Sequence, residues 1–224
     1  MFVASVAAAC CMPDVANAAI ETVGGSFAPV MTPYNNQSIA IEQFDTALGT
    51  LESVTIRADG SGYFAQWYQN TSTAFNNVEV SQSLQMTLSV GLNNILTFGQ
   101  SINQSHLLAA YDGSGYFTGV SGAWGTQNYA ITAQDQSVLT SPSYLSLFTG
   151  TGFTGLNLSA SAFGRATDSN GNFFGGWQTL AGAELTVSYQ YSAVPEPSTW
   201  LAGVFAVGYL LFFARRNQLL DNHL

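Results

Sequence analysis

The stretch L84-Q85-M86-T87-L88-S89-V90 alternates apolar and polar residues without a break. Side chains alternate across a strand and recur every third or fourth residue on a helix. Leu84, Met86, Leu88 and Val90 therefore share one face only if the segment is extended. Two further stretches repeat the pattern: "LNLSASAF" (residues 156–163) and "ELTVSYQY" (residues 184–191). "LESVTIRA" (residues 51–58) comes close, with Leu51, Val54 and Ile56 among polar residues. The turn-forming clusters "DGSG", "GLNN" and "SNGN" punctuate these runs, and no helical apolar period interrupts them. The expectation is an all-β domain over residues 19–193, an antiparallel β-sandwich of jelly-roll-like form.

Composition fits one such domain with terminal appendages. The chain has 224 residues and is 47% hydrophobic, enough to bury a core, yet only 8% of its residues are charged. It contains no lysine, and its four basic residues are Arg57, Arg165, Arg215 and Arg216, against a formal net charge of −9. Such a chain has almost nothing with which to neutralise a phosphate backbone, which excludes nucleic acid as an expected partner. Ser, Thr, Asn, Gln and Gly must carry its solubility.

The N-terminus reads as an export signal. Residues 2–11 are apolar or small, "VANAA" follows, and Ala16 and Ala18 supply the small-residue pattern at which signal peptidase cuts, after Ala18. The competing reading is a buried N-terminal helix, which Pro13 and Asp14 would cut short. No Lys or Arg precedes the apolar run. Both cysteines, Cys10 and Cys11, lie inside residues 1–18. Cleavage would leave a chain without disulfides, thiolate metal sites or cysteine nucleophiles.

The central domain offers little chemistry. Its one histidine, His106, has no G-x-S-x-G partner, and a lone His with no Cys falls short of a zinc site. Among its acids are Glu42, Asp45, Glu52, Glu79, Asp135 and Glu184, and sequence does not pair any two across a cleft as glycoside hydrolysis would need. "TDSNGN" (residues 167–172) places Asp168, Asn170 and Asn172 alternately, but its Gly171 stands fourth where a calcium loop wants it sixth. A hairpin turn carrying Asn170-Gly171 is the better reading. "DGSGYF" occurs at residues 59–64 and again at 112–117. It reads as two similar hairpin turns in preference to a repeated ligand loop. No catalytic residue, metal or cofactor is expected. Core packing is the expected role of the aromatics, and exposed faces of Trp67, Tyr68 and Trp124 are the sugar contacts that the rival binding-module reading would use.

"VPEPSTW" (residues 194–200) ends the domain, because Pro195 and Pro197 forbid regular structure across it. The next charge-free run, residues 200–214, is followed by Arg215 and Arg216. As a helix it would reach only ~22 Å, short of the ~30 Å hydrocarbon core, so it is a marginal span. The arginines would hold its far end in the cytoplasm.

This arrangement of Val194, Pro195, Glu196, Pro197, an apolar segment and a basic pair resembles the PEP-CTERM sorting signal of Gram-negative bacteria. That signal would occupy residues 194–217, with a cytoplasmic tail over 218–224 somewhat longer than usual. The resemblance implies an exosortase as processing partner and transient residence in the inner membrane. It further implies final placement at the cell surface or in the extracellular matrix, with an association with exopolysaccharide and biofilm. The central domain resembles the choice-of-anchor E family through "QFDTALGTLESVTI" (residues 43–56) and the closing "ELTVSYQY". That family implies a β-rich surface domain and no established activity. The expectation is a secreted, non-enzymatic surface protein; the rivals are a carbohydrate-binding module and a surface glycoside hydrolase.

Overall fold

A computed structural model describes residues 18–115, 117–124, 129–194 and Tyr209. The described chain is almost entirely strand. In order it runs β1 (Ala18–Met31), β2 (Tyr34–Glu42), β3 (Gly49–Asn70), β4 (Asn76–Val90), β5 (Asn93–Leu108), β6 (Gly122–Trp124), β7 (Tyr129–Ala130) and β8 (Gln134–Leu139). A single helical turn, α1 (Pro142–Leu145), then precedes β9 (Phe153–Asp168) and β10 (Phe173–Ala193).

The strands form two antiparallel sheets. One has the order β1-β10-β3, with β6, β7 and β8 laid successively along the far side of β3; the other is β2-β9-β4-β5. The pairings are nested: β4 with β5 innermost, then β3 with β6–β8, β2 with β9, and β1 with β10 outermost. Two further ladders, β10 on β3 and β9 on β4, join this folded-over ribbon into sheets.

The alternating stretches do what their period requires. Leu84, Met86, Leu88 and Val90 of β4 all point inward and are buried, as are Leu156 and Leu158 of β9 and Leu185, Val187 and Tyr189 of β10. Each large apolar side chain so buried contributes ~1.5–3 kcal/mol. Two tyrosines reach from one sheet to the other. Tyr34 Oη donates to the Ala181 carbonyl at 3.0 Å and Tyr189 Oη to the Glu42 carbonyl at 2.6 Å. Burial pushes the Tyr34 hydroxyl up to about 12 and the Tyr189 hydroxyl higher still, so both remain donors.

The imperfect period of residues 51–58 has a structural cause. Ser53 pairs with Gln190 and Leu51 with Tyr191, which leaves Glu52 as an extra residue on β3. The bulge reverses the alternation, so that Leu51 and Val54 both face the core.

Two turn expectations need correction. The first "DGSGYF" is no turn: Asp59–Phe64 lies inside β3, paired without interruption with Glu184–Thr179 of β10. Gly60 faces inward, where an added Cβ would come 2.5 Å from Met86 Cε and 3.0 Å from the Ala133 carbonyl. Glycine here admits the opposing sheet, which a turn reading of Asp-Gly misses. The second copy is a loop. Asp112 Oδ1 accepts from the Ser114 N–H (2.9 Å) and Ser121 Oγ (3.0 Å), and Oδ2 accepts from the Val120 N–H (3.0 Å). These bonds hold the Asp112 carboxyl well below the usual carboxylate range. "TDSNGN" is a turn but not a hairpin, since it carries the chain from β9 in one sheet to β10 in the other. "GLNN" is a true hairpin, with Val90 paired to Asn93 across Gly91 and Leu92.

The core is not apolar throughout. Along β3, Phe64 belongs to the main cluster and Tyr68 to a smaller one, with buried Gln66 between them. Along β4, Leu84 and Val80 stand in the same relation on either side of buried Gln82. Gln66 is in register with Trp177 and Gln82 with Gly164, and a Cβ on Gly164 would meet Trp177 Nε1 at 2.2 Å. The two rows therefore face each other, and the glutamines form a polar belt across the sandwich. Neither amide has a hydrogen-bond partner among the described residues.

Candidate functional site

The two ends of the domain meet. Ala18, the first residue of β1, is in register with Ser192 of β10, and the Val194 N–H donates to the Leu48 carbonyl at 3.1 Å. Val194 is 58% exposed and is the last described residue before the Pro-Glu-Pro motif. Ala16, Pro195, Glu196, Pro197, Arg215 and Arg216 lie outside the described residues, as does all of the 200–214 segment except Tyr209.

The aromatics that the rival sugar-binding reading would use do not form one surface. Trp67 and Tyr68 are consecutive on β3, so they point to opposite faces of the sheet. Tyr68 is only 2% exposed and stacks on His106 with ring centroids 4.7 Å apart. It is a core residue, which removes it from any ligand platform. Trp67 faces outward but is half-buried against Gly176, where an added Cβ would come 2.8 Å from its indole Nε1. Trp124 is in backbone register with Trp67, and its side chain lies outside the described set.

His106 is held by packing. Its ring lies against Tyr68, its Nε2 is buried without a hydrogen-bond partner, and burial lowers its pKa. No carboxylate accepts a hydrogen bond from it among the described residues. A small cavity, about 250 Å³, is lined by Arg57, Gln134, Asp135 and Gln136. Arg57 beside it makes a two-pronged ion pair with Asp59, at 2.9 and 2.8 Å, and also donates to Gln134 Oε1 at 3.0 Å. The guanidinium lowers the Asp59 pKa, the wrong direction for a general acid. Among the described residues no three His, Cys, Asp or Glu side chains cluster as metal ligands would.

Another concave feature lies on the outer face of the β2-β9-β4-β5 sheet. A cavity of about 640 Å³ lies over β9, β4 and β5 and is lined by residues including Ser83, Gln85, Thr97, Gly99, Ser101, Ser161 and Phe163. Cross-strand register builds it. Phe163, Ser83 and Ser101 form one row, and Ser161, Gln85 and Gly99 the next. Gly99 adds no side chain to the floor, and a Cβ there would run into β4, 2.1 Å from the Leu84 carbonyl. Phe163, 70% exposed, stands at one side as the aromatic wall. No lining residue carries a charge. Sequence reasoning passed over this site because its residues come from three strands far apart in the chain. The one local signal was an outward phenylalanine on a strand whose other outward positions are mostly small and polar.

A scan against protein-family models finds no match, and a search of curated proteins finds none either. Among solved structures, the chain aligns with infectious bursal disease virus of the Gx strain at 10% identity and a TM-score of 0.13, covering 96% of this chain and 54% of that one. The Gt strain structure gives 10% identity and a TM-score of 0.13, covering 81% and 43%. The chain thus spans about half, or less, of the structures it matches, and likeness at that level carries no argument about fold or function.

Proposed function

We propose that the chain is an exported, non-enzymatic jelly-roll domain that is sorted to the cell surface or exopolysaccharide matrix of a Gram-negative bacterium. In this reading signal peptidase removes residues 1–18. An exosortase then recognises Pro195, Glu196 and Pro197, while residues 200–214 hold the chain briefly in the inner membrane with Arg215 and Arg216 on the cytoplasmic side. The nested pairing supports the jelly-roll form, which is a ribbon of paired strands folded over into two sheets.

The observation that carries the sorting reading is the meeting of the two ends. Ala18 and Ser192 are opposite one another at the outermost ladder, and the ladder between β3 and β10 closes at Ala193. Cuts after Ala18 and beyond Val194 would therefore release both appendages while removing one residue from a strand end. Among the described residues, no buried one would be touched. The non-enzymatic part rests on the choice-of-anchor E resemblance, which implies no established activity.

The test is the mass of both termini of the mature protein, in cells carrying the cognate exosortase. A chain beginning at Ala19 and lacking Arg215 and Arg216 is expected, and replacing Pro195-Glu196-Pro197 with three alanines should leave full-length protein in the inner membrane. A wild-type mature chain that still carries Arg215 and Arg216 overturns the processing reading.

A further inference from the structure

The outer face of the β2-β9-β4-β5 sheet differs from the chain as a whole. The protein carries a net charge of −9, yet the rows over the cavity are neutral. Reading across β9, β4 and β5, they are Ser159–Thr87–Thr97, Ser161–Gln85–Gly99 and Phe163–Ser83–Ser101. The nearest charges, Arg165 and Glu79, stand one and two rows beyond Phe163 and are opposite in sign. A charged ligand would gain nothing here from charge complementarity and would lose hydration.

What the cavity does offer is hydrogen-bonding capacity that the protein itself leaves unused. Ser83, Gln85, Thr97, Ser101 and Ser161 make no side-chain hydrogen bond to another described residue. A hydroxyl both donates and accepts, and so does a carboxamide, so the floor can match a partner whose own groups do both. Phe163 adds an aromatic face with no polar atom, at a height where one side of a ligand resting on the floor would lie against it. Neighbouring strands are about 4.8 Å apart, so the row from Phe163 to Ser101 spans about 10 Å. The combination of unpaired hydroxyls and amide below with an apolar ring beside them fits a molecule that is hydroxylated at its rim and C–H-rich on its faces.

We propose that this cavity, floored by Ser83, Gln85, Gly99 and Ser101 and walled by Phe163, holds a pyranose unit of a neutral polysaccharide. The proposal rests on the surface location argued above, and supplies that reading with a ligand class. Sugar C–H groups pack on the Phe163 ring, and sugar hydroxyls exchange hydrogen bonds with the floor. At Gly99 the floor presents backbone alone. An acidic polysaccharide is disfavoured by the overall charge, and a peptide by the lack of charged lining in this cavity.

The experiment is gel retardation and calorimetric titration of the purified mature protein. The neutral probes are dextran, laminarin and galactomannan, with alginate as the acidic comparison. Retardation by at least one neutral polymer and none by alginate is expected. Phe163→Ala should weaken binding about tenfold, the factor that ~1.4 kcal/mol makes in a dissociation constant. Ser101→Glu should weaken it similarly by placing a charge on the floor, and Val138→Ala on the other sheet should leave it unchanged. All three sites are exposed, and an unchanged melting temperature confirms that each variant is folded. No retardation by any neutral polymer overturns the proposal, as does binding that survives both Phe163→Ala and Ser101→Glu, or binding to alginate alone. None of these results bears on the terminal masses, so failure here leaves the sorting reading standing.

Discussion

Replacing the buried glutamines of the polar belt should stabilise the protein. Gln66 is 1% exposed and Gln82 2%, and neither amide oxygen nor nitrogen has a partner among the described residues. Methionine has nearly the same length and volume, so Gln82→Met keeps the packing and removes two unpaired polar atoms. Leaving a buried polar group unsatisfied costs ~1–3 kcal/mol, and that cost is recovered by the substitution. For a domain of this size each kcal/mol moves the melting temperature by about 2–4 °C, so a rise of about 2–12 °C is expected. Urea unfolding followed by tryptophan fluorescence measures the change in free energy directly, at constant slope if the native state is unaltered. Gln66→Met and the double variant complete a cycle, in which independent sites add and mutually bonded ones do not. A loss of more than about 1 kcal/mol in either single variant, with strong coupling in the double, would show that the amides are satisfied in solution. The reasoning would then be refuted.

Two further outcomes follow from described contacts. Burial lowers the His106 pKa below its usual 6.5, so the unfolded chain binds the proton more readily than the folded one. Stability from neutral His106 is fully present above pH 6.5 and declines as pH falls toward the lowered folded value; His106→Phe should flatten the melting temperature between pH 7 and pH 5. Gly60→Val would force a branched side chain against Met86 Cε and the Ala133 carbonyl. A loss of ~1–3 kcal/mol in the same urea assay is expected, and no loss would mean the sheets separate more easily than their packing implies.

Residues 84–90, 156–163 and 184–191 were legible because their alternation is local and uninterrupted, and each buries the face it advertises. Val54 and Leu51 were legible as core residues even though the bulge at Glu52 that reconciles their spacing was not, since it depends on which residue of β10 stands opposite. The Asp59 stretch misled because Asp-Gly has a strong local turn preference, and only the close approach of Met86 from the other sheet explains a glycine in mid-strand. The ligand-site residues show the same limit. Tyr68 looked available beside Trp67, but adjacent strand residues cannot share a face, and its partner His106 is 38 positions away in the chain. The cavity over Gly99 is a property of register among β9, β4 and β5, which no local pattern encodes.

The nested pairing also sets an order of events during synthesis. The innermost pair, β4 with β5, closes across two residues and can form as soon as it is made, at microsecond speed. Every pair outside it must wait for chain that has not yet emerged. The last strand, β10, lies at the centre of its sheet between β1 and β3, so neither of those strands has its principal partner until about residue 193 exists. The cost of closing so long a loop falls at the end, when the outermost ladder forms. A chain built this way completes its sandwich only once β10 arrives.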